Sequence, residues 1–369
     1  MRPTSSLDKN FSLYLDLVRF LAAVAVVACH FAYFDIFSAR QIAAIPDYGR
    51  EAVIAFFVLS GFVIAYSADT RNHTLSSYVV ARCARLYSVV LPVLLGSFVL
   101  AGLVEAVTDA SVDYGYEAHK PWAYIPFHLA FLGDLWSFVE RPPWLIPYWS
   151  LDYEAWYYVL FGAAWYLKGK KRLLAVAFVL ALVGPRLWLL LPVWLSGVAL
   201  YRWQQRASLS VGVARAMWAL SVAAIAAWGW YDPEPYLREV ANAAWPFPFI
   251  RMGSADRVLA DYAVGIMVLV NFAGARHAGF RLLERFDNAI RRLSAHTFTL
   301  YLSHGVVIGL WQTLIPIRRG HPVDIAAIAL AIGLTAVFLQ PFTESLQRVL
   351  HVRLSALIGG AAGAARPAQ

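Results

Sequence analysis

The chain has 369 residues, of which 60% are hydrophobic and only 15% charged, and its mean hydropathy is +0.58. Soluble domains carry about 25% charged residues, so this composition excludes a soluble globular domain and indicates an integral membrane protein. The net charge of +8 reads as positive charge flanking membrane spans, not as a nucleic-acid surface, and two cysteines, Cys29 and Cys83, make no disulfide framework.

A span needs roughly 20 apolar residues, and ten runs qualify in chain order: 13–36, 51–68, 86–107, 149–167, 172–187, 188–203, 211–230, 257–275, 295–316 and 323–346. The first is too long for a signal-peptide core and has no small-residue cleavage site, so it is kept as a span. The fifth and sixth are short and divided only by the turn Gly184–Pro185–Arg186. The expected fold is therefore all-α: a polytopic bundle of about ten transmembrane helices. One domain would cover 1–355, with a flexible tail over 356–369.

An even count places both termini on one side. The basic segments KGKKR (168–172) and Arg276 to Arg292 mark that side as cytoplasmic, because short Lys/Arg-rich loops stay inside. The expected topology is N-in/C-in. Two longer outer segments remain. Residues 108–148 hold Asp109, Asp113, Glu117, His119, Asp134 and Glu140 among Tyr114, Tyr116, Trp122, Tyr124, Trp136, Trp144 and Tyr148; the second covers 231–256. Their aromatics suit an interfacial belt or a platform on which sugar or macrocycle faces stack. FFVLSGFVIAY (56–66) and VWLSGVALY (193–201) share a Leu-Ser-Gly core, which close helix packing explains.

Ionisable residues inside spans are costly and normally face a bundle interior or a wet cavity. In SLYLDLVRFLAAVAVVACHF (12–31), Arg19 and His30 are eleven residues apart. They fall within about 20° of each other on a helix but roughly 16 Å apart along it. Asp16 precedes Arg19 by three, the spacing of a helical ion pair. His30 suits general-base work near neutral pH; the plainer alternative is a structural ion pair and a hydrogen-bonded core histidine. Cys29 points away from His30 and reads as packing.

In YVVARCARLYSVVLP (78–92), Arg82 and Arg85 stand one turn apart. Paired guanidinium forks match phosphate oxygens, and ordinary span anchoring is the alternative. In PYWSLDYEAWYYVLF (147–161), Asp152 and Glu154 point about 200° apart; they form no dyad, and one faces a cavity while the other caps the helix. His304 in LSAHTFTLYLSHGVV (293–307) fits packing and chemistry equally. His73, His119, His128, His277, His296 and His321 lack ligand spacing, so no metal is expected.

These segments together resemble the membrane-bound acyltransferase family 3, whose members O-acylate glycans, lipid-linked sugars and some macrolides. LDLVRFLAAVAVVACHF carries the opening Arg-x10-His, here Arg19 and His30; FFVLSGFVI resembles the second-span signature, and RCAR (82–85) the Arg-x-x-Arg element. WSLDYEAWYY (149–158) resembles the Trp-Ser-Leu-x-x-Glu pattern, with Asp152 where Ser is common, and TLYLSHGVV (299–307) the late Leu-Tyr-Leu-x-His segment.

The resemblance implies a catalytic role for His30 with Arg19 and Asp16 in support, functional importance for Glu154, and donor contact by Arg82 and Arg85. It implies acyl-CoA, acetyl-CoA foremost, as co-substrate and a carbohydrate or lipid-linked acceptor. It also implies a multi-pass place in the bacterial inner membrane, in contact with the lipid bilayer. The esterase-like domain fused to some relatives is not expected here. Two alternatives stay open: acylation of a cytoplasmic small molecule such as a macrolide, and, in another class, a transporter or flippase.

Overall fold

The structure is a computed structural model and describes residues 7–108 and 120–364. Among them no strand occurs; fourteen α-helices follow one another. They are α1 (Lys9–Tyr33), α2 (Ala39–Ala44), α3 (Gly49–Thr70), α4 (Leu75–Val107), α5 (Pro121–Leu129), α6 (Trp149–Tyr166), α7 (Gly169–Val183), α8 (Pro185–Gln204), α9 (Val211–Tyr231), α10 (Glu234–Ala243), α11 (Val258–His277), α12 (Asp287–Ala295), α13 (Thr297–Leu314) and α14 (Pro322–Ala364).

Local chemistry sets several of their boundaries. Asp8 accepts from the backbone N–H of Phe11 to start α1, and Thr74 with Ser77 forms a capping box at α4. Side-chain oxygens there satisfy N–H groups that the first helical turn leaves free. Gly184, at φ +80°, separates α7 from α8, and a Cβ there would stand 2.9 Å from the Trp136 ring.

The ten apolar runs are largely helical, but among the described residues length and composition single out six helices able to cross a membrane: α1, α3, α4, α9, α11 and α14, the last over Pro322–Ile358. The expected count of about ten is thus not met by this measure. Helix α7 has only 15 residues, while α6, α8 and α13 carry the inward-facing Glu154, Arg186 and His304. Helices shielded by protein tolerate polar side chains that lipid-facing ones do not. The outward surface is apolar: Val99 and Leu103 on α4, Leu173 and Phe178 on α7, Leu220 on α9, and Leu330 and Phe338 on α14 are all exposed. So much exposed apolar surface suits a bilayer rather than water.

Helix α3 is the hub, buried over most of its length, and it crosses α8 at very close range. A Cβ at Gly61 would lie 2.0 Å from the Trp194 carbonyl oxygen, and one at Gly197 would lie 1.9 Å from that of Val58. The two Leu-Ser-Gly segments are thus the two halves of one crossing, each glycine giving room to the other helix's backbone. Gly61→Ala must push backbone against backbone, which costs about 1–3 kcal/mol by analogy with overpacked cores. The expected result is a lower melting temperature of the purified protein in detergent; an unchanged one would refute the crossing.

The segment from 120 to 148, expected at the outer surface, turns into the bundle at its C-terminal end. Leu145 and Tyr148 are fully buried and Trp144 is 2% exposed. The α13 glycines make this possible: a Cβ at Gly305 would meet the Trp144 carbonyl oxygen at 2.3 Å, and one at Gly309 the indole at 2.1 Å. Tyr148 donates to the His128 carbonyl at 2.8 Å, and the Trp156 indole N–H to that of Phe131 at 2.8 Å. Trp122 and Trp136 do stay exposed. Asp109, Asp113, Tyr114, Tyr116, Glu117 and His119 lie outside the described residues, as do 365–369 of the expected tail. Residues 356–364, also assigned to that tail, continue α14, whose 43 residues span about 64 Å at 1.5 Å each.

A buried ionic network ties the two outer segments to the bundle. Arg141 pairs with Asp134 at 2.7 Å, Ser254 donates to Asp134 at 3.2 Å, and Arg50 bridges the Ser254 carbonyl at 2.6 Å and Asp261 at 2.9 Å. Burial lifts the Asp134 carboxyl above the usual carboxylate range, despite the opposing pull of Arg141 and Arg186.

Candidate active site

A cavity of about 590 Å³ runs into the bundle from the end where α1 begins. Its mouth is formed by the exposed Arg71, Arg291, Glu344 and Gln347, and its deep end by the buried Phe57, Ser60, Ser150 and Tyr301. The volume lies within the usual range for small-molecule and cofactor sites. Five arginines (Arg19, Arg71, Arg82, Arg85 and Arg291) face three carboxylates (Asp16, Glu154 and Glu344) across it. The excess positive charge favours an anionic ligand.

Five of the six residues singled out from the sequence line this one cavity: Asp16, Arg19, Arg82, Arg85 and Glu154. Arg19 Nη1 meets Asp16 Oδ1 at 3.2 Å, the pair that the three-residue spacing predicts. Asp16 also accepts from Ser294 at 3.2 Å and faces Arg291 at 3.7 Å, which ties α1 to α12. Arg82 reaches Ser67 at only 3.4 Å, stands 6.0 Å from the Tyr158 ring centre, and buries its Nε without a hydrogen-bond partner among the described residues. A buried guanidinium N–H left unpaired carries a desolvation penalty that an incoming acceptor relieves. Arg85, on the same face, is exposed and makes no ion pair among the described residues.

Glu154 is the polar node of the deep half. One carboxylate oxygen accepts from Ser60 at 2.6 Å and from the Tyr158 hydroxyl, and Trp194 donates to Ser60 at 3.2 Å. The Gly61–Gly197 crossing therefore also sets where this carboxylate stands. Ser60, read from the sequence as packing, belongs to the site; nothing local signals it, because its partner lies 94 residues away. Ser150 and Tyr301, 2.7 Å apart, close the deep end and were likewise not singled out.

Asp152 points away from Glu154, as the helical angle requires, but it does not cap α6. It is fully buried with neither oxygen hydrogen-bonded among the described residues, and a Cβ at Gly133 would stand 2.7 Å from it.

His30 does not line the cavity. It lies eleven residues beyond Arg19 on the unbroken α1, about 16 Å along it, whereas Phe56 and Tyr301, whose rings meet edge to face at 5.5 Å, do line the cavity. There it faces His304 of α13: the rings are 4.9 Å apart, and His304 Nε2 is 3.3 Å from His30 Nδ1. Tyr301 stands 6.3 Å from His304, ring to ring. Tyr301, a lining residue, thus links the cavity to the imidazole pair through His304. Cys29, on another face, sits against Gly49 and donates weakly to Asp47 at 3.6 Å, a packing position.

Comparison with known proteins identifies the family. The family model of the acyltransferase domain, acyltransferase family 3, matches residues 12–340. The acyltransferase MdmB of Streptomyces mycarofaciens is 36% identical over 91 residues, which cover 24% of this chain and 22% of that protein. The chain thus matches about a fifth of the length of that relative. No solved structure matches. The family match runs from the α1 helix that bears Arg19 and His30 into the α14 helix that closes the cavity wall: the chain is a multi-pass membrane protein and belongs to acyltransferase family 3.

Proposed function

We propose that the protein moves an acyl group, acetyl first, from acyl-CoA to a hydroxyl of a glycan or lipid-linked sugar, with His30 as general base. With the N-terminus in the cytoplasm, as the basic segments suggest, the cavity mouth at the end where α1 begins faces the donor. The observation that carries the reading is the buried Arg82 Nε, without a hydrogen-bond partner among the described residues, in an arginine-rich cavity whose lining residue Tyr301 contacts His304 of the imidazole pair.

In this reading the phosphates of the donor lie against Arg82 and Arg85, with Arg71 and Arg291 at the mouth, and the pantetheine arm extends toward Tyr301. The acceptor hydroxyl gives its proton to His30 as its oxygen attacks the thioester carbonyl. The C–S bond then breaks, and the thiolate takes the proton back from the imidazolium. Glu154 holds Ser60 and Tyr158 in place along the path.

Mass spectrometry of cell-surface glycans with and without the gene tests the reading. The expected result is the loss of one acyl unit from a defined sugar. Sealed, oriented vesicles fed acyl-CoA on one face identify the acceptor side. Unchanged glycans together with acylation only on the donor face would move the acceptor to a cytoplasmic small molecule.

A further inference from the structure

We infer that His304 is a positioning residue for His30: it fixes the His30 imidazole in the tautomer that leaves Nε2 bare. The inference rests on the reading of His30 as the base. His30 Nδ1 lies 2.8 Å from the carbonyl oxygen of Val26. A carbonyl only accepts, so that nitrogen carries the proton. His304 Nδ1 lies 3.1 Å from the carbonyl oxygen of Leu300, and by the same logic its proton is on Nδ1. In a neutral ring the other nitrogen, Nε2, is then a bare acceptor. That atom faces His30 Nδ1 at 3.3 Å.

The two rings are complementary in this arrangement. The His30 Nδ1 proton is shared between Val26 and His304, and His30 Nε2, which makes no hydrogen bond among the described residues, keeps its lone pair. The opposite His30 tautomer would set its Nδ1 lone pair against both the Val26 oxygen and His304 Nε2. Against the buried His304 and a backbone carbonyl such a clash of acceptors is costly.

His304 is held rigidly enough for this task. It is fully buried, and Gly305, its neighbour on α13, carries the Trp144 backbone against it. Partners that orient a metal-bound histidine through its second nitrogen matter by about 10- to 100-fold, and the same scale is expected for a partner that orients a general base. The reaction itself is unchanged: the acceptor proton goes to His30 Nε2 and returns to the departing thiolate, while His304 exchanges no proton.

The test compares steady-state kinetics of the full-length protein in proteoliposomes for His304→Phe, His304→Gln and His30→Ala. His304→Phe keeps a ring but removes the acceptor; it is expected to lower kcat about 10- to 100-fold with KM for donor and acceptor little changed. His304→Gln, whose amide oxygen replaces Nε2, is expected to restore most of the loss. Wild-type turnover in His304→Phe, a loss confined to KM, or no rescue by Gln would overturn the inference while inactivity of His30→Ala upholds the base. Full turnover in His30→Ala would overturn the underlying reading instead. Independently of any folding defect, nitrogen NMR of the ¹⁵N-histidine-labelled wild-type protein should find His30 protonated at Nδ1 and bare at Nε2; the reverse overturns the inference.

Discussion

Replacing His30 by Ala is expected to reduce acyl transfer by about 10²–10⁴-fold, the usual contribution of a positioned general base. The protein should still fold, because His30 is partly exposed and at the edge of its packing cluster. Its ring contacts are Tyr33, Phe34 and His304 rather than the densely buried α3 core. Donor binding should also survive, because the arginines proposed to hold the donor line a cavity that His30 does not line. Initial rates in proteoliposomes, with binding of a non-hydrolysable donor analogue as control, decide the matter. A variant that turns over like the wild type would remove His30 from the chemistry.

The second large effect concerns Arg82 and Arg85. Hydrogen bonds to charged groups contribute about 1.5–3 kcal/mol, so Arg82→Ala should raise the donor KM by roughly 10- to 100-fold with kcat much less affected. Arg85→Ala should act in the same direction but more weakly and with a stronger salt dependence, since Arg85 is exposed and its charge is screened. Arg82→Lys should recover only part of the loss, because an ammonium cannot reproduce the two-pronged fork. Donor KM unchanged in Arg82→Ala would show that this guanidinium anchors the helix and nothing more.

What the sequence makes legible here is mostly what one helix decides by itself. The Asp16–Arg19 pair, the divergence of Asp152 from Glu154, and the break at Gly184 all follow from spacing along a chain. The ten apolar runs appear as helices for the same reason. What spacing does not carry is pairing across the bundle. Ser60 with Glu154, Ser150 with Tyr301, and His30 with His304 are 94, 151 and 274 residues apart, and no local pattern encodes them.

The segment before α6 was misread for a related reason. Aromatics near an apolar run suggest a membrane boundary, whereas Trp144 and Tyr148 are drawn inward by glycines on α13, far away in the chain. The short helices α5, α10 and α12 lie in segments whose composition marks them only as loops. The span count differs because α6, α8 and α13, read as spans from their apolar runs, bury polar groups among their neighbours. They fall outside the six helices apolar and long enough to cross a membrane among the described residues.

Because α1 is one unbroken helix from Lys9 to Tyr33, Arg19 and His30 stay about 16 Å apart whatever else in the bundle moves. In the proposed acyl-CoA reading, a small acyl phosphate is too short to reach from the arginine-lined cavity to the imidazole. The stiffness of a single helix then acts as a ruler that suits a donor carrying its thioester carbon on a long, thin tether.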